Sequence, residues 1–235
     1  MMIKKAGLSQ EILKLIACVT MLIDHAGAVL FPQYLNLRII GRIAFPIYCF
    51  LLAEGVIYTK SPMRYGIRLG VGAVLSELPF DLALFGGITL QYQSVMITLL
   101  IGFVMGNCMK CANNPLWKVL IILPFALLAE WLKTDYGGWG IVMIALFILS
   151  RDFHQRLFVQ ATGLAVICYV MDSYVMFIGG LRVPNEMFAL FAMVPIALYS
   201  GEKLTRNKAL QWAFYLFYPV HLTILFILWE FGYRM

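Results

Sequence analysis

Charge is what this chain lacks. Only 13% of its 235 residues are charged, whereas 62% are hydrophobic. A water-soluble domain of that length needs a far larger charged surface, so the composition excludes one and points to a polytopic membrane protein. No polar stretch exceeds a short loop. That leaves no room for a second, soluble domain, and residues 1–235 are expected to form a single integral-membrane domain. Cysteine is sparse too: Cys18, Cys49, Cys108, Cys111 and Cys168. Only Cys108 and Cys111 make a CxxC, and no second pair completes a zinc site, so they are expected to be small packing residues and no metal is expected. Catalytic fingerprints such as HExxH, GxSxG and a phosphate-binding lysine loop are missing. The "GVG" at 70–72 lies in an apolar run with no strand before it, so it is not a nucleotide fingerprint. No basic block is interleaved with aromatics, which argues against a nucleic-acid partner. The expected medium is the lipid bilayer.

What is present is hydrophobic run after hydrophobic run. At ~20 residues per crossing, about nine segments emerge, near 12–31, 38–59, 67–85, 93–110, 117–133, 139–150, 157–177, 185–199 and 210–231. The sixth and eighth are short enough to be tilted or partly re-entrant. Turn-forming residues separate the runs: Pro32, Ser61-Pro62, Gly86-Gly87, Asn113-Asn114-Pro115, Gly137-Gly138, Gly179-Gly180 and Gly201. The first run carries Asp24 and His25 and is too long for a signal peptide, so it is expected to be a retained helix. The expected class is therefore an all-α bundle of about nine transmembrane helices.

Net charge is +6, and its distribution suggests topology. With the N-terminus in the cytoplasm, Lys4, Lys5, Lys14, Lys60, Arg64, Arg68, Lys110, Lys118, Arg151, Arg156, Lys203, Arg206 and Lys208 fall inside. Only Arg38, Arg42, Lys133, Arg182 and Arg234 fall outside.

The informative residues are ionisable groups inside apolar runs. Each costs roughly 2.5–3.5 kcal/mol at the membrane centre, so each needs a partner or a wet cavity. Asp24, His25, Arg42, Glu77, Asp81, Glu130, Asp172, Glu186 and His221 fall in the middle or outer half of their segments, while Glu54 lies near the inner side. Glu77 and Asp81 are one turn apart and share a helix face. Arg42 is the natural counter-ion for Asp24, Glu77 or Asp81. The plain alternative is a charge network that only fixes helix packing. Asp24 and His25, being consecutive, point about 100° apart on a helix. Asp24 is thus expected to hold Arg42, leaving His25 to face a cavity through small Ala26, Gly27 and Ala28. An imidazole titrating near neutrality suits a general base there; a hydrogen-bonded packing histidine is the alternative. In "FYLFYPVHLTIL", Pro219 frees the Tyr215 carbonyl for His221 or a ligand. His154 is expected to be solvated.

Five stretches, "LKLIACVTMLIDHAGAVLFP", "LRIIGRIAFPIYCFLLAEGVIYTK", "LSELPFDLALF", "TDYGGWGIVMIALF" and "FYLFYPVHLTILFIL", together resemble the TraX family over nearly the whole chain. The name-giving member of that family is required for N-terminal acetylation of F pilin. The family also resembles a wider group of integral-membrane acyltransferases that carry acyl groups from cytoplasmic acyl-CoA to an acceptor across the membrane. Gln93 and Ser94 stand where the family is expected to carry an Asn before "TLLIG"; both can donate and accept hydrogen bonds.

The resemblance implies acetyl-CoA as acyl donor and an amine or hydroxyl acceptor on the far side, a pilin-like protein or an envelope glycan, in a bacterial cytoplasmic (inner) membrane. His25 would be the general base, with Asp24 and His221 completing the catalytic group. Arg42, Glu77, Asp81, Gln93, Ser94 and Tyr218 would line the acceptor side. Lys60, Arg64, Arg68 and Lys203 would meet the CoA phosphates, although the same cations also satisfy topology. Midplane charges equally mark a proton- or ion-coupled transporter, the competing class.

Overall fold

The structure is a computed structural model describing residues 7–89, 91–152, 154–171, 175–178, 181–204 and 207–232. Lys4, Lys5, Asp172, the Gly179-Gly180 turn, Arg206 and Arg234 lie outside the described residues. Helix α1 (Gln10–Val29) starts where Ser9 accepts a hydrogen bond from the Ile12 amide, and it ends just before Pro32. Helices α2 (Leu35–Gly41) and α3 (Ala44–Tyr58) correspond to a single expected segment. The break has a local cause. Pro46 lacks an amide hydrogen, and its ring would collide with the carbonyl four residues back, that of Arg42. The helix therefore yields at Arg42-Ile43 and resumes.

Helix α4 (Pro62–Phe85) has proline at its first turn and closes on left-handed Gly86. Then follow α5 (Val95–Cys111), α6 (Pro115–Trp131, capped by Asn114), α7 (Gly137–Leu149) and α8 (Arg156–Met171). A two-stranded antiparallel ribbon, β1 (Val175–Ile178) with β2 (Leu181–Pro184), comes next, Val175 opposite Pro184. Val175, Ile178 and Val183 favour extended backbone, and β1 takes up the last three residues, 175–177, of the expected seventh segment. A 3-10 stretch, Asn185–Ala192, leads into short α9 (Met193–Ala197). The eighth expected segment is thus not a regular α-helix. Helix α10 (Lys208–Gly232) closes the chain, with Pro219 inside it.

Among the described residues, three spans are long and apolar enough to cross a membrane: Gln10–Val29, Leu35–Tyr58 taken together, and Ala209–Gly232. Helices of 13 to 17 residues reach only about 20–26 Å, against roughly 30 Å of hydrocarbon. Helix length alone therefore does not give nine crossings. The surface is nonetheless that of a membrane protein. Val74, Leu123, Val166 and Ile224 are among many large apolar side chains left exposed. Trp117, Trp131, Trp139, Trp212 and Trp229 all sit near helix ends, where interfacial aromatics collect. The core is one continuous cluster that includes Leu13, Ile47, Met105, Ile144, Leu164 and Leu222, one each from α1, α3, α5, α7, α8 and α10 and all fully buried. Helix α10 packs along α4 and α1, and α3 packs on α1 and α7.

Candidate functional site

Where α1 crosses α2, four charges alternate in a chain. Arg38 Nη1 donates to Asp24 Oδ2 at 2.6 Å, and Arg42 Nη2 to Asp24 Oδ1 at 2.8 Å. The other end of the Arg42 guanidinium donates through Nη1 to Glu186 Oε1 at 2.8 Å. Asp24, Arg42 and Glu186 are buried, and the chain is neutral overall. Alternation compensates each charge, as burial requires. Close approach is part of the design: a Cβ added to Gly41 would lie 2.0 Å from Asp24 Oδ1. The break caused by Pro46 sets Arg42 where it can span α1 and the 3-10 stretch.

One residue further along α1, His25 turns to α10. Its Nδ1 lies 2.7 Å from His221 Nε2, and His221 Nδ1 lies 2.7 Å from the Phe217 carbonyl oxygen. A carbonyl can only accept, so His221 Nδ1 carries a hydrogen and its Nε2 offers a lone pair. His25 Nδ1 must then be the donor, which makes His25 Nε2 the basic nitrogen. His221 takes the Phe217 carbonyl rather than the Tyr215 carbonyl released by Pro219. Tyr218 meets both imidazoles edge-on, with centroids 5.7 and 5.5 Å away.

His25 lines a cavity of about 220 Å³. Asp24, Arg38, Arg42, Tyr48, Gln93 and Asp135 also line it, and stacked Phe45 and Tyr136, 3.7 Å between centroids, form one wall. It sits at the end of the bundle where α1 and α4 finish and α5 and α7 begin. Asp135, in the turn before α7, is fixed through its backbone. Its amide donates to the Gln93 carbonyl at 2.8 Å, and its own carbonyl accepts from Thr98 Oγ1. Left-handed Tyr136 (φ 65°) follows. Burial raises the Asp135 carboxyl from its ordinary 3.8 to about 6; nearby Arg42 opposes this, while Asp24 and Glu186 reinforce it.

At the opposite end, where α1, α4 and α10 begin, lies a second cavity of about 190 Å³. Lys14, Arg68 and Lys203 line it with Tyr65, Phe214 and Tyr215. The Arg68 guanidinium lies 5.9 and 5.8 Å from the Tyr65 and Tyr215 ring centres, and its buried Nε has no hydrogen-bond partner among the described residues. Tyr48 lines both cavities, so a single side chain is a wall common to the two. Its hydroxyl is hydrogen-bonded with Cys18 Sγ at 3.2 Å.

The expected site residues divide accordingly. Asp24, His25, Arg42 and Gln93 gather at the first cavity, with His221 and Tyr218 behind His25. Arg68 and Lys203 line the second, whereas exposed Lys60 and Arg64 line neither. Glu77 and Asp81 do not pair with Arg42. Glu77 accepts from the Ser94 amide at 3.1 Å and Asp81 from the Thr89 amide at 2.9 Å, fastening the loop between α4 and α5. Glu130 accepts from the Gly138 amide, and Glu54 lies 3.8 Å from Arg151. Sequence reasoning missed Lys14, Arg38, Tyr48 and Asp135 as site residues. The four-residue spacing of Arg38 and Arg42, one face of one helix, was the available signal for Arg38. For Asp135 it was an acid set directly before Tyr-Gly-Gly at a helix start.

The fold and site define a helical membrane protein with an ionic and imidazole cluster buried between its helices. Residues 9–229 match the family model described as "TraX protein", and the chain belongs to that family. It is 29% identical to the "Probable fimbrial assembly protein FimC, serogroup H1" of Dichelobacter nodosus, over 91% of this chain and 92% of that protein. It is 27% identical to an uncharacterized protein of Rickettsia prowazekii, over 68% of this chain and 60% of that one. No solved structure matches.

Proposed function

We propose that the chain is a single-domain, multi-pass acetyltransferase of a bacterial inner membrane, with its N-terminus in the cytoplasm. It moves the acetyl group of acetyl-CoA to an acceptor on the far side, a pilin-like N-terminus foremost. The observation that carries this reading is the imidazole relay. Phe217 fixes His221, His221 fixes His25, and His25, left with Nε2 as its basic nitrogen, lines a cavity. Two further features support it. The other cavity is lined by Lys14, Arg68 and Lys203, suited to the phosphates of a carrier too charged to cross. Tyr48 is common to both cavities, so the thioester arm and the acceptor approach from opposite sides of one side chain.

In the reaction, an acceptor ammonium gives a proton to His25 Nε2. The neutral amine attacks the thioester carbon and the C–S bond breaks; the leaving thiolate takes the proton from His25, and the second proton that the nitrogen sheds as the amide forms passes to the freed His25 Nε2 and on to water. His221 and Asp24 are positioning residues: one sets the His25 tautomer, and the other locks α1 against α2 through Arg38 and Arg42.

The test is acetyl transfer from radiolabelled acetyl-CoA to a peptide amine by detergent-purified protein. His25→Ala should lose transfer while remaining folded; turnover retained in that variant removes His25 as base. A transporter would instead move a solute with no consumption of acetyl-CoA.

A further inference from the structure

Two arginines and three acids meet around the first cavity: Arg38, Arg42, Asp24, Glu186 and Asp135. The arginines are engaged with Asp24 and Glu186. No ion pair within the described residues includes Asp135, although Asp135 lines the cavity that His25 also lines. When Asp135 is ionised, the group carries one negative charge more than its positive charges. Asp135 is half-buried, and a carboxylate enclosed to that degree without a partner is costly unless a cation joins it. Its backbone is hydrogen-bonded on both sides, to Gln93 and Thr98, so the carboxyl is held at the wall rather than on a loose loop.

We propose that Asp135 is the anchor for the primary ammonium of the acceptor, holding its nitrogen beside His25 within the cavity. This rests on the acetyl-transfer reading above. An ammonium has three hydrogens to donate. One goes to the Asp135 carboxylate, and another points to His25 Nε2 and is the proton removed. No bond to Asp135 forms or breaks. A hydroxyl acceptor brings no charge and leaves Asp135 uncompensated, so the cavity discriminates in favour of amines.

The pH dependence follows from the groups around Asp135. They are Asp24 and His25 from α1, Arg38 and Arg42 from α2, Glu186 from the 3-10 stretch, neighbouring Tyr136, and Tyr218 from α10. In the unliganded protein Asp135 exchanges its proton at about pH 6. Preference for an ammonium should therefore be full well above that pH and fade below it.

The experiment is isothermal titration of the full-length protein in lipid nanodiscs with two short peptides. One has a free N-terminal amine and the other the same sequence with a hydroxyl in its place. Wild type at pH 7.5 should prefer the amine by about ten- to a hundredfold, the range of a charge-assisted hydrogen bond. Asp135→Asn should reduce the preference to about twofold or less. An unchanged preference in Asp135→Asn, or no preference in wild type, overturns the anchor. If Asp135→Asn does not fold, the wild-type pH series replaces it: a preference decaying below about pH 6 supports the anchor, and a flat ratio overturns it. Amine-selective binding without any acetyl transfer would remove the reaction and keep the anchor. Acetyl transfer with unaltered selectivity in Asp135→Asn would remove the anchor and keep the reaction.

Discussion

His221→Phe is the substitution that separates a tuned imidazole pair from two histidines that merely pack. Phenylalanine keeps a ring between Phe217 and Tyr218 but offers no acceptor to His25 Nδ1, now bonded at 2.7 Å. His25 is only 7% exposed, so water does not readily replace that acceptor. A buried N–H left without a partner costs about 1–3 kcal/mol. The imidazole avoids the cost by moving its hydrogen to Nε2, which removes the lone pair that the proposed reaction needs. At 1.4 kcal/mol per factor of ten, the active tautomer falls by about 5- to 150-fold. The turnover number should fall by that factor. The KM for acetyl-CoA should stay nearly constant, because His221 lines neither cavity. His221→Gln provides an amide oxygen and should recover much of the loss. Initial rates of radiolabelled acetyl transfer, across acetyl-CoA concentrations, decide it. A Phe variant within about twofold of wild type, or a Gln variant no better than Phe, refutes the relay.

Three further outcomes are expected. Gly41→Ala places a methyl 2.0 Å from Asp24 Oδ1; forcing Asp24 off Arg42 should cost about 3 kcal/mol and lower the melting temperature by roughly 5–10 °C, and unchanged melting would count against the tight α1–α2 contact. Asp135→Asn should stabilise the fold at pH 7.5, because a carboxyl raised to about 6 contributes stability below its ordinary 3.8 and loses it as pH rises through 6. That gain, on the order of 2–3 kcal/mol, should vanish near pH 4 in paired melts, and an equal difference at both pH values contradicts it. Arg68→Gln or Lys203→Gln should weaken CoA binding about tenfold at low salt and less at high salt, and equal affinity in a CoA titration would free the basic cavity of that role.

Much of the site could be anticipated because it follows from local rules. Asp24 and His25 diverge because adjacent helical residues must, and the two go to Arg42 and to α10 respectively. Cations at the starts of α1 and α4 and before α10 gather at one end because helix direction alternates. What stayed hidden depends on distance along the chain or on backbone detail. His25 and His221 are 196 residues apart, and hydropathy carries no trace of their pairing. Glu77 and Asp81 share a face with the right chemistry for Arg42, but the α4–α5 loop folds back and takes them for its amides. The break at Arg42 was written in Pro46, one turn later, yet the apolar run around it looks continuous. Asp135 lies in a turn, outside every apolar segment, and only the backbone bonds to Gln93 and Thr98 bring it to the cavity.

Sidedness is the decisive property of a transmembrane acetyltransferase. Wild-type protein and His25→Ala can be reconstituted into sealed vesicles with a peptide amine trapped in the lumen and labelled acetyl-CoA added outside. Acetylated lumenal peptide with wild type, free CoA appearing outside in equal amount, and neither with His25→Ala, is the expected result. Consumption of acetyl-CoA without label on the trapped peptide, or equal labelling by both proteins, would contradict transfer through the His25 cavity.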